Sequence, residues 1–196
     1  MKLVLATKNQ GKIREFQEAF HRLGIDCISI RDISNVSDPI ENGNTFIENA
    51  KIKALYYMNA CGLPCLADDS GLDVDILNGA PGIYSARYAG THGDDEANNQ
   101  KLISQLQGVP MSKRGAQYVC ALVLVYPDGR MYEAEGICNG LIQDEPRGTE
   151  GFGYDPYFYV PKFRKTMAEL TIEEKELISH RGRALRQLIG QIEKTE

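Results

Sequence analysis

Asp68, Asp69, Asp73 and Asp75 crowd into eight positions, between the apolar Leu66-Ala67 and a run punctuated by glycine and proline from Gly79 to Gly90. Carboxylates this close repel one another unless a cation or hydrogen-bond donors hold them. Oxygen ligands at a strand-to-turn junction suit Mg²⁺, which takes one or two protein carboxylates and leaves the rest of its shell to water and substrate phosphate. Asp73 and Asp75 have a plainer reading, because they alternate with Leu72, Val74 and Ile76 as the wet face of a half-buried strand would. Asp68 and Asp69 alternate with nothing polar, and adjacent side chains on a strand point to opposite sides. One of this pair is expected to face chemistry while the other braces the turn.

A second candidate group is Thr7-Lys8-Asn9-Gln10-Gly11-Lys12. It follows an apolar Leu3-Val4-Leu5-Ala6, read as a buried strand, and precedes a helix with Ile13, Phe16, Phe20 and Leu23 on one face and Gly24 as its stop. A strand, a polar glycine-bearing loop and a helix start make an anion site, where free N–H groups and the positive end of the helix dipole converge. Lys8 and Lys12 add charge. The spacing is not that of a Walker loop, and an ordinary helix start with solvated lysines is the alternative. The third group is Phe152-Gly153-Tyr154-Asp155, ahead of Pro156. Aromatics on a glycine loop can stack a nucleobase while a carboxylate reads its edge; core aromatics under a loop, with a turn-forming aspartate, are the competing reading. His180 and Arg181 fall where Ser179 caps a last helix, and both can donate to a base or a phosphate.

The elements that must position these residues follow from hydrophobic periodicity. Cys27 to Ile30 reads as a second strand. Thr45 and Glu48 form a capping box opening a helix to about Ala60 that buries Phe46, Ile47, Ala50, Ala54 and Met58, with Gly62 as the stop. Asn49 and Lys53 share a face of it, where Lys53 either serves chemistry or is simply solvated. Asp94 and Asp95 can cap a helix to about Gln107. Ala116 to Tyr126 is too rich in Val and Tyr for a helix; Pro127-Asp128-Gly129 turns the chain, and Met131 to Glu135 returns as the second arm of a hairpin. Ile137 to Ile142 is expected to be a further strand. Thr171 and Glu174 form another capping box, on the helix that carries Lys175, and the last helix carries Leu185, Leu188, Ile189 and Ile192.

The 196 residues fit one domain, with room for two lobes and a real core. Hydrophobic residues at 42% and charged residues at 25% are ordinary for a globular chain. A formal net charge of −5 leaves no footprint for duplex nucleic acid, so an anionic substrate needs a local cation cluster or a metal. The start of the chain lacks a signal-peptide pattern, and no window approaches a membrane-spanning length. Cys27, Cys61, Cys65, Cys120 and Cys138 match no zinc or redox spacing and read as free cytosolic thiols.

Taken together and in order, Thr7 to Lys12, Thr45 to Ala50, Ala67 to Leu72, Gly79 to Gly90, Phe152 to Pro156, Thr166 to Leu170 and Ile178 to Arg181 resemble the inosine/xanthosine triphosphate pyrophosphatases, the Ham1-like family, over essentially the whole chain. That resemblance implies an α/β fold, with an elongated mixed β-sheet flanked by helices and two lobes about a central substrate cleft in a single domain over residues 1–196. It also implies a cytoplasmic homodimer and a Mg²⁺-dependent hydrolase that splits ITP, dITP and XTP into the monophosphate and pyrophosphate. Carried over by motif, Thr7, Asn9 and Lys12 hold the triphosphate with Lys53 nearby, Asp69 binds Mg²⁺ and serves as general base, and Ser70 contacts substrate. Phe152, Gly153, Tyr154, Asp155, Lys175, His180 and Arg181 form the nucleobase pocket. Family members often carry two adjacent glutamates before Gly-x-Thr-Phe; here the run is Ile40-Glu41-Asn42-Gly43, and Glu41 is the candidate second metal ligand.

The chemistry expected of these residues is in-line attack of water on the α-phosphorus, with pyrophosphate leaving under lysine cover. Asp69 takes the proton. Rejection of ATP rests on hydrogen bonds to the base, since a 6-keto group accepts where a 6-amino group donates, and a mispaired buried group costs about 1–3 kcal/mol. A phosphatase releasing orthophosphate and a nucleotide sensor without turnover are the rival functions.

Overall fold

The computed structural model describes residues 2–33 and 37–194, apart from the side chain of Glu176. Seven strands form one mixed sheet in the order β2-β1-β3-β4-β5-β6-β7, namely β1 (Lys2–Leu5), β2 (Asp26–Ser29), β3 (Cys65–Val74), β4 (Gly115–Val125), β5 (Met131–Ile142), β6 (Phe158–Val160) and β7 (Lys165–Thr166). β1 runs parallel to both β2 and β3, with Leu3 opposite Cys27 and Leu5 opposite Leu66. β6 is antiparallel to β5 and to β7. Among the described residues, five helices accompany the sheet: α1 (Gln10–His21), α2 (Phe46–Cys61), α3 (Asp95–Gln105), α4 (Ile172–Ile178) and α5 (His180–Ile192).

The chain divides into two compact units. The first comprises Met1–Asp69, Ala121–Glu135 and Ala184–Glu196, the second Ser70–Cys120 and Gly136–Arg183. In the first unit, Val4, Ala6, Ile30, Ala50, Ala54, Tyr57, Cys65, Ala67, Ala121, Val123 and Val125 form a buried core. β1 and the start of β3 read as unbroken apolar runs, as strands of a parallel arrangement with both faces covered should. In the second unit the core gathers Leu72, Val74, Leu102, Leu106, Tyr118, Cys138, Tyr154, Phe158 and Met167.

Helix boundaries follow local capping chemistry. Asn9 is the N-cap of α1, so the helix starts within the polar stretch 7–12 and ends at His21, ahead of a half-buried Leu23. Thr45 caps α2 as expected, but the Glu48 carboxylate accepts from the Asn44 N–H at 2.6 Å and so ties down the approaching loop. Gly62, in the left-handed conformation at φ 68°, ends that helix. The Thr171–Glu174 box is complete in both directions. So is a box at Thr166 and Glu169, opening a 3₁₀ turn, which the sequence reading had not identified.

Two strand expectations change. Met131 to Ile142 is a single strand, because Ala134, Gly136 and Cys138 keep the period-2 inward face unbroken through the glycine. The alternating pattern of Asp73 and Asp75 stops at Val74. Asp75 opens a 3₁₀ turn and Ile76 is exposed, so only Asp73 occupies the half-wet strand position.

Candidate active site

In the first unit, α1, α2 and the loop before α2 converge on Asp68 and Asp69, in the middle of β3. α1 delivers Lys12, whose Nζ lies 2.6 Å from Asp68 Oδ2, and the Asp68 side chain is only 1% exposed. Asp68 lies within β3 and not at a turn, and it ties that strand to the start of α1. Asn9 Oδ1 accepts from the N–H groups of Gly11 (2.9 Å) and Lys12 (3.2 Å), and Thr7 Oγ1 accepts from the Asn9 N–H. Two of the helix's free donors are therefore already engaged by the cap, while Gln10 and Gly11 lie exposed on its first turn. Lys8 turns elsewhere: its Nζ meets Asp38 Oδ1 at 2.6 Å, and Asp38 also accepts from the Tyr57 hydroxyl.

α2 supplies Lys53, and the loop before α2 supplies Glu41. Lys53 Nζ lies 3.1 Å from Glu41 Oε2 and 3.6 Å from Asp69 Oδ1. The Lys53 side chain is 14% exposed. Burial works against its charge, yet Asp69, Asp68 and Glu41 together outweigh that cost and hold the ammonium pKa above its ordinary value. Burial also pushes the Asp69 carboxyl up; Lys53 opposes the rise, Glu41 and Asp68 reinforce it, and a hydrogen bond from Asn49 pulls it down. The other oxygen, Asp69 Oδ2, is buried with no hydrogen-bond partner among the described residues. A buried carboxylate oxygen without a partner costs free energy, so this atom is poised to receive a proton or a cation. Gly43 sets the loop: its N–H donates to Asn49 Oδ1 at 2.8 Å, and a Cβ there would come within 2.7 Å of Glu48 Cβ. That close approach keeps Glu41 beside α2.

The donor set can be weighed against a metal. Among the described residues, no three His, Cys, Asp or Glu side chains are placed to hold an ion by themselves. Glu41 and Asp69, two carboxylates sharing one lysine, are a fitting pair for an ion that draws its remaining ligands from water and phosphate.

In the second unit, the 151–155 loop and α4 build a different environment. Asp155 accepts from Tyr118 Oη (3.0 Å), Lys175 Nζ (3.3 Å) and the Phe152 N–H (3.4 Å). Gly151, at φ 98°, carries the chain over this carboxylate, and a Cβ on it would overlap Asp155 Oδ2. The Phe152 ring is exposed, with the Arg181 guanidinium 5.9 Å from its centroid. The His180 imidazole stacks on Tyr118 with centroids 4.8 Å apart and planes 19° from parallel. Tyr154 belongs to the core: its ring is buried and its hydroxyl donates to the Ser85 carbonyl at 2.8 Å. The two aromatics flanking Gly153 thus take the two opposed readings, Phe152 outward and Tyr154 inward. Ser70, half-buried, directly follows Asp69 on β3.

Several contributors escaped the sequence reading. Tyr118 lies inside an apolar run with nothing to distinguish it, and Asp38 lies in a loop without a pattern. Asp95 and Asn99, on α3, bind the Gly153 N–H and carbonyl. Asn49 carried a signal in its shared face with Lys53, and Asp95 carried one only as a candidate helix cap.

Fold and side chains define a mixed α/β protein with a buried carboxylate–lysine cluster in one unit and an exposed aromatic beside a guanidinium in the other. The Ham1 family profile matches residues 3–191. A dITP/XTP pyrophosphatase from Desulforamulus reducens is 51% identical over 186 residues, covering 95% of this chain and 92% of the relative, and one from Geobacter sulfurreducens is 50% identical, covering 94% and 92%. The Ham1 protein structure from Staphylococcus aureus superposes with a TM-score of 0.91 at 43% identity, covering all of both chains. A HAM1 protein from Coxiella burnetii matches equally well, at 43% identity and 99% coverage of each chain. The chain belongs to the Ham1 family.

Proposed function

We propose that this protein hydrolyses deaminated purine nucleoside triphosphates, dITP, ITP and XTP, to the monophosphate and pyrophosphate. The observation that carries the reading is the buried, unpartnered Asp69 Oδ2 beside Lys53 and Glu41, in a chain about half identical to dITP/XTP pyrophosphatases. Mg²⁺ is the proposed cofactor, with Asp69 and Glu41 as its protein ligands; when bound, it neutralises charge developing on the phosphates. Lys12 and Lys53 exchange part of their carboxylate contacts for phosphate oxygens and stabilise the leaving pyrophosphate. The loop and first turn of α1, Thr7, Lys8, Asn9, Gln10 and Gly11, bear on the same polyanion, with Lys8 exchanging its Asp38 contact and the Gly11 N–H its Asn9 cap for phosphate oxygens. Asp69 accepts the proton of the attacking water through its half-buried carboxylate.

The base is assigned to the second unit, where Phe152 offers a stacking face and Asp155, Lys175, His180 and Arg181 offer hydrogen-bonding groups; Gly153 supplies the backbone turn, and Ser70 lies next to the reacting end in sequence. Tyr154 supports this loop from the core. We also infer a homodimer acting on nucleotides in the cytoplasm, with neither duplex nucleic acid nor membrane as partner. The net charge of −5 is consistent with that, and no helix among the described residues is long and apolar enough to cross a membrane. Light scattering on the purified chain tests the dimer.

The deciding experiment incubates the protein with ITP, ATP and GTP, with and without Mg²⁺, and resolves IMP, IDP, pyrophosphate and orthophosphate. IMP and pyrophosphate from ITP, with little turnover of ATP or GTP, is the expected result. IDP with orthophosphate would replace the proposed reaction by a phosphatase, and binding of ITP without turnover would make the protein a sensor.

A further inference from the structure

We propose that Asp95 and Asn99 of α3 are positioning residues that hold the base-recognition loop 151–155 in register. The inference rests on the function proposed above and deepens it. The two residues stand four apart on α3, hence on one face, and together they grip a single residue of the loop through both of its backbone polar groups. Asp95 Oδ2 accepts from the Gly153 N–H at 2.8 Å, and Asn99 Nδ2 donates to the Gly153 carbonyl at 2.9 Å. Gly153 is the pivot of the loop: at φ 62° it lies in the left-handed region, where it separates exposed Phe152 from buried Tyr154.

Nothing else about this pair requires such a grip. Asp94, not Asp95, is the N-cap of α3, so the Asp95 carboxylate is not needed to start the helix. Asn99 is 8% exposed, and its Oδ1 has no hydrogen-bond partner among the described residues. A buried amide with one end unpartnered is a costly way to fill space, but it places an N–H donor against a loop carbonyl. The neighbouring Asn98 makes the corresponding contacts to another loop, accepting from the Ala89 N–H at 2.7 Å and donating to the Ala86 carbonyl. α3 is thus a bracket for two irregular segments, and the Asp95–Asn99 arm of it bears on the residues assigned to the base. A loop held at both polar groups of its pivot presents Phe152 and Asp155 in one geometry, which discrimination between purines differing by a single donor or acceptor requires.

The test is steady-state kinetics on ITP and GTP for the full-length Mg²⁺-loaded protein, with calorimetric binding of IMP as a readout independent of turnover. Asn99→Asp is isosteric and turns the donor into an anion facing a carbonyl, while Asp95→Ala removes the acceptor. Each is expected to raise the KM for ITP and the Kd for IMP by roughly 3- to 10-fold, the range of one net hydrogen bond. Each should leave kcat within about twofold and narrow the ITP-to-GTP ratio of kcat/KM. Asp95→Asn, whose amide oxygen still accepts, should recover most of the loss. Gln100→Ala, exposed on the same helix, is the control. Unchanged KM, IMP affinity and substrate ratio in both loss variants would overturn the inference. So would losses confined to kcat and thermal stability with no rescue by Asp95→Asn. A wild-type protein that does not turn over ITP would instead overturn the function itself, an outcome visible before any variant is made.

Discussion

At Asp155 burial and hydrogen bonding pull in opposite directions. Burial pushes its carboxyl up, while the Lys175 ammonium and the bonds from Tyr118 and the Phe152 N–H hold it back without cancelling the rise. A carboxyl raised above its unfolded value contributes stability that is complete below the unfolded pKa and is lost as pH rises through the folded one. Asp155→Asn does not ionise, so its Tm relative to wild type should climb as pH rises above about 4, the ordinary carboxylate value. Calorimetry at several pH values checks this, and a constant difference would contradict the assignment. Asp69→Asn should lower kcat by about 10²- to 10⁴-fold, the usual contribution of a general base, while leaving the far-UV circular dichroism unchanged. The thiols make a third expectation at this scale. Burial, and in the case of Cys27 also Asp26, pushes Cys27 to about 12; burial against an opposing Arg183 pushes Cys138 to about 11. Because the thiolate is the reactive form, iodoacetamide should label both slowly near neutral pH in the native protein and quickly once it is unfolded in guanidinium, as read by mass spectrometry.

At the scale of elements, the loops that carry chemistry are pinned to helices by particular small contacts. Gly43 is pressed so closely on α2 that Gly43→Ala must move the loop. Overpacking of this kind costs about 1–3 kcal/mol. A lower Tm together with weaker metal-dependent turnover is therefore expected, because Glu41 moves with Gly43. Thr171→Ala removes one half of a reciprocal box on the short helix that carries Lys175, a loss of about 1 kcal/mol. Thermal unfolding should shift by a few degrees. These devices were partly legible. Thr45, Thr171 and Gly62 were recognisable because capping depends on residue types at fixed offsets along one chain. The Glu48 contact to Asn44 was not, since which loop N–H lies nearest depends on how the preceding loop folds back. The strands read separately as Met131 to Glu135 and Ile137 to Ile142 join because Gly136, between them, lies on the inward face and lets β5 continue.

For the molecule as a whole, two separate cores hold two separate sets of candidate site residues. In the second unit Phe158 is fully buried, packs against Tyr118 at 4.4 Å between centroids, and fills the space that Gly140 leaves open. Phe158→Ala should cost about 3–5 kcal/mol, a large share of the roughly 5–15 kcal/mol that stabilises a typical domain. The urea midpoint should fall accordingly, and base discrimination should suffer through Tyr118.

The amino-acid sequence by itself determined the alternation of strands and helices, most helix starts and stops, and the candidacy of the Asp68–Asp69 pair, Lys12, Lys53 and the Phe152–Asp155 run, because periodicity, capping and residue chemistry are local properties of the chain. Only the tertiary structure decided that Lys12 pairs with Asp68 while Lys53 is shared by Glu41 and Asp69, that Lys8 turns to Asp38, that Tyr154 faces inward, and that Tyr118, Asp95 and Asn99 hold the residues assigned to the base. Those are contacts between segments far apart in sequence. Which of several nearby carboxylates a lysine meets, or which peptide an asparagine grips, depends on the packing of strands and helices around it.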